Sequence, residues 1–297
     1  MPRLEIHPLS ELRDEAARLL GERFADQRAR ERLLPHVDDL EPQVPPDGHV
    51  ATRAGRAVAY LAGAVDGDMA RWQFAGHAAS DPEALRDLFA VQAKELDVSR
   101  FMLAVPATHP ELVDAWFRLA FGCQAVWAVR EVASADPPPF DGTIRPSTPD
   151  DLDAAVDFER ILIGHQVESP SFSGMEVPSR DAVAEEWRDA WDDPETYIPF
   201  VAERAGRVVG LLGLYRRPEG DLRVPADNID LAFAATREEV RGSGAGLALT
   251  AHAFNWAHEH GFRSITTDWR SVNLLSSRFW PRRGFRPQYL RLYRAVP

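Results

Sequence analysis

Six residues late in the chain, Arg241-Gly242-Ser243-Gly244-Ala245-Gly246, combine three glycines with a cation and no acidic side chain. Upstream, Asn228-Ile229-Asp230-Leu231-Ala232-Phe233-Ala234 alternates like a strand, and Leu247 through Ala257 has the spacing of a helix. A glycine-rich turn between a strand and a helix leaves backbone N–H groups without intrahelical acceptors, where the helix dipole favours an anion. Glycines also let the backbone approach a phosphate with no Cβ in the way. The expectation is therefore a pyrophosphate cradle over Arg241–Leu247, provided its N–H groups are not already taken by protein atoms. Two side chains have the chemistry to move a proton. Asp230 lies on the strand face opposite Ile229, Leu231 and Phe233, and His165 carries an imidazole.

The turn lacks the lysine and following Ser/Thr of a nucleoside-triphosphate loop. It also lacks the early position and downstream acid of a dinucleotide fold. It does fit R-x-x-G-x-G, and with Asn273, Phe279-Trp280 and Gly284-Phe285 it resembles the acyl-CoA-binding blocks of the GNAT-type N-acetyltransferase superfamily. The two blocks stand in the family's order and at its distance. The resemblance implies acetyl-CoA as co-substrate, with Ala234, Ala235 and Thr236 along the pantetheine arm. Arg241, Gly242, Ser243, Gly244, Ala245, Gly246 and Leu247 would wrap the pyrophosphate, and Asn273 and Trp280 would contact the cofactor from the other side. The reaction implied is transfer of an acetyl group to a primary amine, with Asp230 as first candidate for the base and His165 as second.

One position departs from the family. Trp280 stands where a tyrosine often protonates the departing thiolate, and an indole N–H does not give up its proton. Ser276 and Ser277, one helical turn earlier, are candidates to relay a proton instead; alternatively the thiolate leaves unaided. The segment from Glu168 to Trp191, including Phe172 and Gly174, is where acceptor contacts are expected, together with His165.

These residues need a scaffold, and the chain carries two similar ones. Leu4-Glu5-Ile6-His7-Pro8 and Thr143-Ile144-Arg145-Pro146 each precede a Leu- and Ala-rich helix. Arg53-Ala54-Gly55-Arg56 and Arg204-Ala205-Gly206-Arg207 each join two strand-like runs, and an apolar helix ends at Gly122 and again at Gly284. Between the halves lies the stiff segment Asp136-Pro137-Pro138-Pro139-Phe140-Asp141-Gly142. The expected fold class is α+β: two tandem GNAT-like domains, 1–136 and 141–297, each a mixed, mostly antiparallel sheet flanked by helices. In the first, Ser80 and Glu83 read as a capping box that occupies the free amides of its helix, and Pro82 removes another donor. That half is expected to be a degenerate copy without a phosphate loop. The tandem architecture is similar to that of mycothiol synthase, which makes a mycothiol-synthase-like acetyltransferase the nearest alternative. A non-catalytic acyl-CoA-sensing module is the alternative from another class, favoured by Trp280.

Composition narrows the partners. The net charge of −12 argues against nucleic acid. Residues 141–236 carry 9 basic and 20 acidic side chains, whereas residues 237–297 carry 10 basic and 4 acidic. That asymmetry suits a phosphorylated cofactor on one side and a cationic small-molecule amine on the other, although solvated surface charge explains it equally well. Cys123 is the only cysteine, which excludes an intramolecular disulfide and fits a reducing cytoplasm. Arg3, Glu5 and Glu11 leave no room for a signal-peptide core, and no apolar run is long enough to span a bilayer. His258 and His260 read as charge complements to a helix C-terminus rather than metal ligands, so no metal is expected. A monomer or a homodimer is expected.

Overall fold

The computed structural model describes residues 3–173, 175–218 and 220–296. The chain forms two compact units. The first runs as far as Ala128 and also takes in Asp221–Pro225 and the chain from Pro287 onward. The second comprises Val129–Gly220 and Ala226–Arg286.

The first unit begins with β1 (Leu4–Pro8), α1 (Arg13–Arg30), β2 (Gly48–Arg53), β3 (Arg56–Ala62), β4 (Ala64–Asp66), β5 (Met69–Trp72) and β6 (His77–Ala79). It continues through α2 (Pro82–Glu95), β7 (Arg100–Pro106), α3 (Pro110–Phe117) and β8 (Gly122–Glu131), the last of which crosses the unit boundary. Strands β1, β2, β3 and β6 pair antiparallel in that order, and β5 pairs with β7 in parallel. Alternation along β2, β3, β5 and β7 sends Ala51, Leu61, Trp72, Leu103 and Val105 into one core with Leu85, Leu88 and Trp116 from the helices. Helix α1 buries Leu19, Leu20 and Phe24 against Val50 and Tyr60 on the other face.

The second unit holds β9 (Thr143–Pro146), α4 (Leu152–Val167), α5 (Arg180–Asp192), β10 (Tyr197–Arg204), β11 (Arg207–Tyr215), β12 (Asn228–Thr236), α6 (Ala245–Glu259), β13 (Ser264–Arg270) and the single turn α7 (Ser276–Phe279). Its sheet runs β9-β10-β11-β12-β13, antiparallel except for the last pair. Phe158, Val183 and Trp187 of α4 and α5 pack on Val201 and Leu211. The final strand, β14 (Arg286–Ala295), runs antiparallel to β7, so 287–296 belongs with the first unit rather than with the expected 141–297. Leu292 is fully buried in the first unit's core, and that burial holds the strand there. The proline segment likewise falls inside the second unit, where Asn255 of α6 bonds both backbone groups of Ala135 at 2.8 and 2.9 Å.

The first unit's α2 starts as expected in effect and differently in detail. Asp81 is its N-cap, accepting from the Glu83 N–H at 3.2 Å, while the Ser80 hydroxyl bonds Val58 O instead. Ser80 is therefore not the capping residue. Asp81 also pairs with Arg53 at 2.8 Å. The start of α2 is thus occupied by a side chain and a proline.

Candidate functional site

The sheet of the second unit opens within β12. Its parallel pairing with β13 covers only Asn228–Leu231 against Ser264–Thr267, although both strands continue. On the other side β12 stays paired with β11 as far as Thr236. The Arg237 N–H donates to Val209 O, which fixes the phase of that ladder. In an antiparallel pair successive residues point their backbone groups to alternate sides. Ala235 therefore bonds Leu211, whereas Ala234 and Thr236 turn their N–H and C=O groups toward the unpaired edge.

A cleft of about 470 Å³ lies along that edge. Its floor is Leu211, Leu212, Ala234, Ala235 and Thr236; the loop and first turns of α6 form one wall. Asn273, Leu275, Ser276, Phe279, Trp280 and Arg283 form another, and Ile161, Leu162 and His165 of α4 close it. Three rim residues, Ile161, Leu247 and Leu275, are large, apolar and substantially exposed.

Helix α6 begins at this cleft without a side-chain cap, its N-cap being Gly244. Gly242 and Gly244 both adopt left-handed backbone, with φ of +84° and +92°. At Gly244 there is a second constraint, since a Cβ would sit 2.7 Å from Pro139 O. Within the loop, the N–H groups of Arg241 and Ser243 donate back to Glu238 O and Val240 O. Those of Gly242, Gly244, Ala245, Gly246 and Leu247 have no acceptor among the described residues. The Ser243 hydroxyl, shielded from solvent, has none either. Five amides and a hydroxyl at the positive end of a helix are an arrangement of donors that could hold an anion. Arg241 adds a cation at the lip, paired loosely with exposed Glu238 at 3.4 Å. Arg283 adds another, stacked 3.7 Å over Phe279 and bonded to Phe279 O, its basicity lowered by burial and by Arg282.

Of the residues expected to bind the cofactor, Ala234, Ala235, Thr236, Arg241, Gly242, Gly244, Gly246, Leu247, Asn273 and Trp280 line the cleft. Ser243 and Ala245 lie in the same loop behind that surface, Ala245 with its methyl buried. Asn273 has a further task besides lining the cleft. Its Oδ1 accepts from Leu275 and Ser276 N–H at 3.0 and 3.3 Å, holding the turn that leads to Ser276, Phe279 and Trp280. Trp280 is buried edge-to-face against Phe285 and Phe279, which suits packing and not proton transfer.

The structure separates the proposed acid–base residues. Asp230 is not on the cleft. It is 3 % exposed, and Arg217 Nη2 and Thr266 Oγ1 donate to its two oxygens at 2.6 and 2.7 Å. The physical reason is that residue 230 lies where β12 is paired on both edges; the strands part only after Leu231. Ser276 lines the cleft with a buried hydroxyl lacking a partner, while Ser277 points elsewhere. His165 is on the wall, and Phe172, 72 % exposed, is not. Gly174 lies outside the described residues. Among the described residues no acidic side chain lines the cleft, so their acidic balance over 141–236 is not expressed there.

Sequence reading missed the apolar half of the site, Ile161, Leu162, Leu211, Leu212, Leu249 and Phe279, along with Arg283. One signal was available. Ile161-Leu162-Ile163 makes α4 apolar over a wider arc than one core face needs, and its excess faces the cleft. Among the described residues no cluster of three His, Cys, Asp or Glu side chains could hold a metal, and no helix is long and apolar enough to cross a membrane.

Comparison with known proteins agrees with this geometry. Residues 165–285 match the sequence model of the acetyltransferase (GNAT) family, a span that contains the loop, α6 and α7. A GCN5-related N-acetyltransferase from Sphaerobacter thermophilus superposes with a TM-score of 0.60 at 15% identity, covering 99% of this chain and 96% of its own. A tandem GNAT protein from the clavulanic acid biosynthesis pathway gives 0.50 at 16% identity, with 99% of both chains covered. An acetyltransferase of the GNAT family from Colwellia psychrerythraea gives 0.53 at 12% identity, covering 99% and 100%. No curated protein sequence matches significantly. The fold, with its split-sheet cleft, is that of GNAT-type acetyltransferases. The whole chain shares the fold of tandem GNAT proteins, and residues 165–285 match the GNAT family model.

Proposed function

We propose that the protein is an acetyl-CoA-dependent N-acetyltransferase acting on the primary amine of a small molecule in the cytoplasm, with its active cleft in the second unit. The observation that carries this reading is the set of five unengaged amides at the start of α6. They and the Ser243 hydroxyl hold the diphosphate of coenzyme A, with Arg241 at the lip. The outward backbone groups of Ala234 and Thr236 pair with the pantetheine arm, and Trp280 and Leu275 pack against the cofactor. An amide N–H of the same edge steadies the oxyanion formed when the amine attacks the thioester. The first unit is the non-catalytic copy, because Asp81 and Pro82 occupy the helix start that would bind a diphosphate.

Two measurements test this. Calorimetry should show acetyl-CoA binding one site per chain, and free thiol should appear when the loaded protein meets a panel of primary amines. Absence of heat removes the reading. The second reading, a non-catalytic acyl-CoA sensor, draws on Trp280 and on a cleft with no carboxylate among its described lining residues. Binding with no thiol released on any amine would favour it.

A further inference from the structure

Among the described residues the cleft is lined by one imidazole, that of His165. Of the 22 described lining residues, the charged ones are Arg241 and Arg283, and none is Asp, Glu, Lys, Cys or Tyr. The rest of that lining is apolar, amide or hydroxyl. Neither of its ring nitrogens has a hydrogen-bond partner among the described residues. Its surroundings on α4 are Ile161, one turn earlier, and Leu162, which also face the cleft. The nearest charges on its own helix are turned to other tasks. Arg160 bonds Pro178 O, and Glu168 is the C-cap. Across the cleft stand the two arginines, which cannot accept a proton. Asp230, the obvious carboxylate by sequence, has both oxygens committed to Arg217 and Thr266 away from the cleft.

We infer that His165 is the general base of the cleft, serving an acceptor amine that presents an apolar body to Ile161 and Leu162. This rests on the acetyltransferase reading and adds the base and the substrate class. An amine nitrogen in its neutral form attacks the thioester carbonyl, forming the C–N bond while the carbonyl π pair moves to oxygen. On collapse the C–S bond breaks with its electron pair on sulfur. The extra N–H proton passes to the free imidazole nitrogen, and from there to the thiolate or to solvent, giving the amide and coenzyme A thiol. The apolar body follows from the wall itself. With no carboxylate among the described lining residues to hold an ammonium, the cleft selects acceptors by burial of hydrocarbon against Ile161 and Leu162.

The test compares wild type, His165→Gln, His165→Ala and Asp230→Asn, using acetyl-CoA with benzylamine, 2-phenylethylamine and hexylamine, and with spermidine and glucosamine as polar counterparts. The apolar amines should give the higher kcat/KM, with an acid limb in the pH profile. His165→Gln should lose about 100-fold or more in kcat and lose that limb, with acetyl-CoA affinity unchanged within threefold. Added imidazole should restore part of the rate to His165→Ala, which a merely structural role would not allow. Asp230→Asn should keep the limb. The proposal is overturned if His165→Gln retains rate and limb, if the limb goes with Asp230→Asn instead, or if spermidine or glucosamine is preferred. It is also overturned if no apolar amine is turned over while acetyl-CoA still binds, a result that leaves the cofactor site intact. Loss of acetyl-CoA binding in the wild type would sink both readings.

Discussion

Gly244→Ala is the sharpest perturbation of the loop. Two costs can be separated. The backbone sits at φ +92°, and an alanine held in left-handed backbone costs about 1–2 kcal/mol. The added Cβ would also lie 2.7 Å from Pro139 O, a distance at which one of the two segments has to move. Pro139 is not free to retreat, since the proline segment is anchored by the paired bonds between Asn255 and Ala135. The loop therefore yields, and it carries the Gly244 and Ala245 amides with it. A charge-assisted bond is worth about 1.5–3 kcal/mol, so misdirecting one amide should weaken acetyl-CoA binding about 10- to 150-fold. Gly261→Ala is the control. It has φ +79° and nothing within 4 Å of its Cβ position, at the far end of α6. It should lower stability by about the same 1–2 kcal/mol, or about 2–8 °C in Tm, with no change in affinity. Calorimetric titration and thermal melts of both variants give the two quantities. The reasoning fails if Gly244→Ala binds acetyl-CoA within twofold of wild type, or if Gly261→Ala weakens binding as much.

Three further perturbations probe other parts of the same account. Asp230→Ala removes the buried carboxylate that accepts from half-buried Arg217 and from Thr266, and should destabilise the second unit by about 2–3 kcal/mol in urea titrations, with turnover per folded molecule unchanged. Trp280→Phe keeps the packing against Phe285 and should hold kcat within fivefold; a fall of 100-fold would mean that the indole takes part in the chemistry. His77 of β6 is fully buried, and burial, with Arg23 and His109 nearby, holds its imidazole well below the usual value. The unfolded chain takes up that proton as pH falls below about 6.5 while the folded chain does not, so stability present above that pH is lost below it at up to about 1.4 kcal/mol per pH unit. Denaturation of wild type at pH 7.5 and 5.0 should differ accordingly, and His77→Gln should flatten the difference.

Legibility in the sequence followed how local each feature is. The loop was legible because glycine spacing, a preceding strand and a following helix are all encoded within about thirty residues, and backbone N–H groups need no distant partner to point outward. Asp230 was misjudged for the opposite reason. Alternation gives the face of a strand but not whether that face is covered, and covering depends on Thr266 in β13 and Arg217 beyond β11. The same limit hid the destination of β14, whose apolar Leu290 and Leu292 fit a sheet edge in either half. Asn273 lines the cleft, whereas its second task, accepting from the Leu275 and Ser276 N–H groups, depends on a turn whose geometry the sequence does not mark. The two helix starts make the physical distinction most plainly. Helices α2 and α6 are of similar length, and each is preceded by a strand. Asp81 and Pro82 consume the donors of α2, whereas α6 begins on left-handed Gly244 with no side chain to cap it. A helix start left open at a cost in stability needs a reason outside the chain's own folding, and an anionic ligand supplies one.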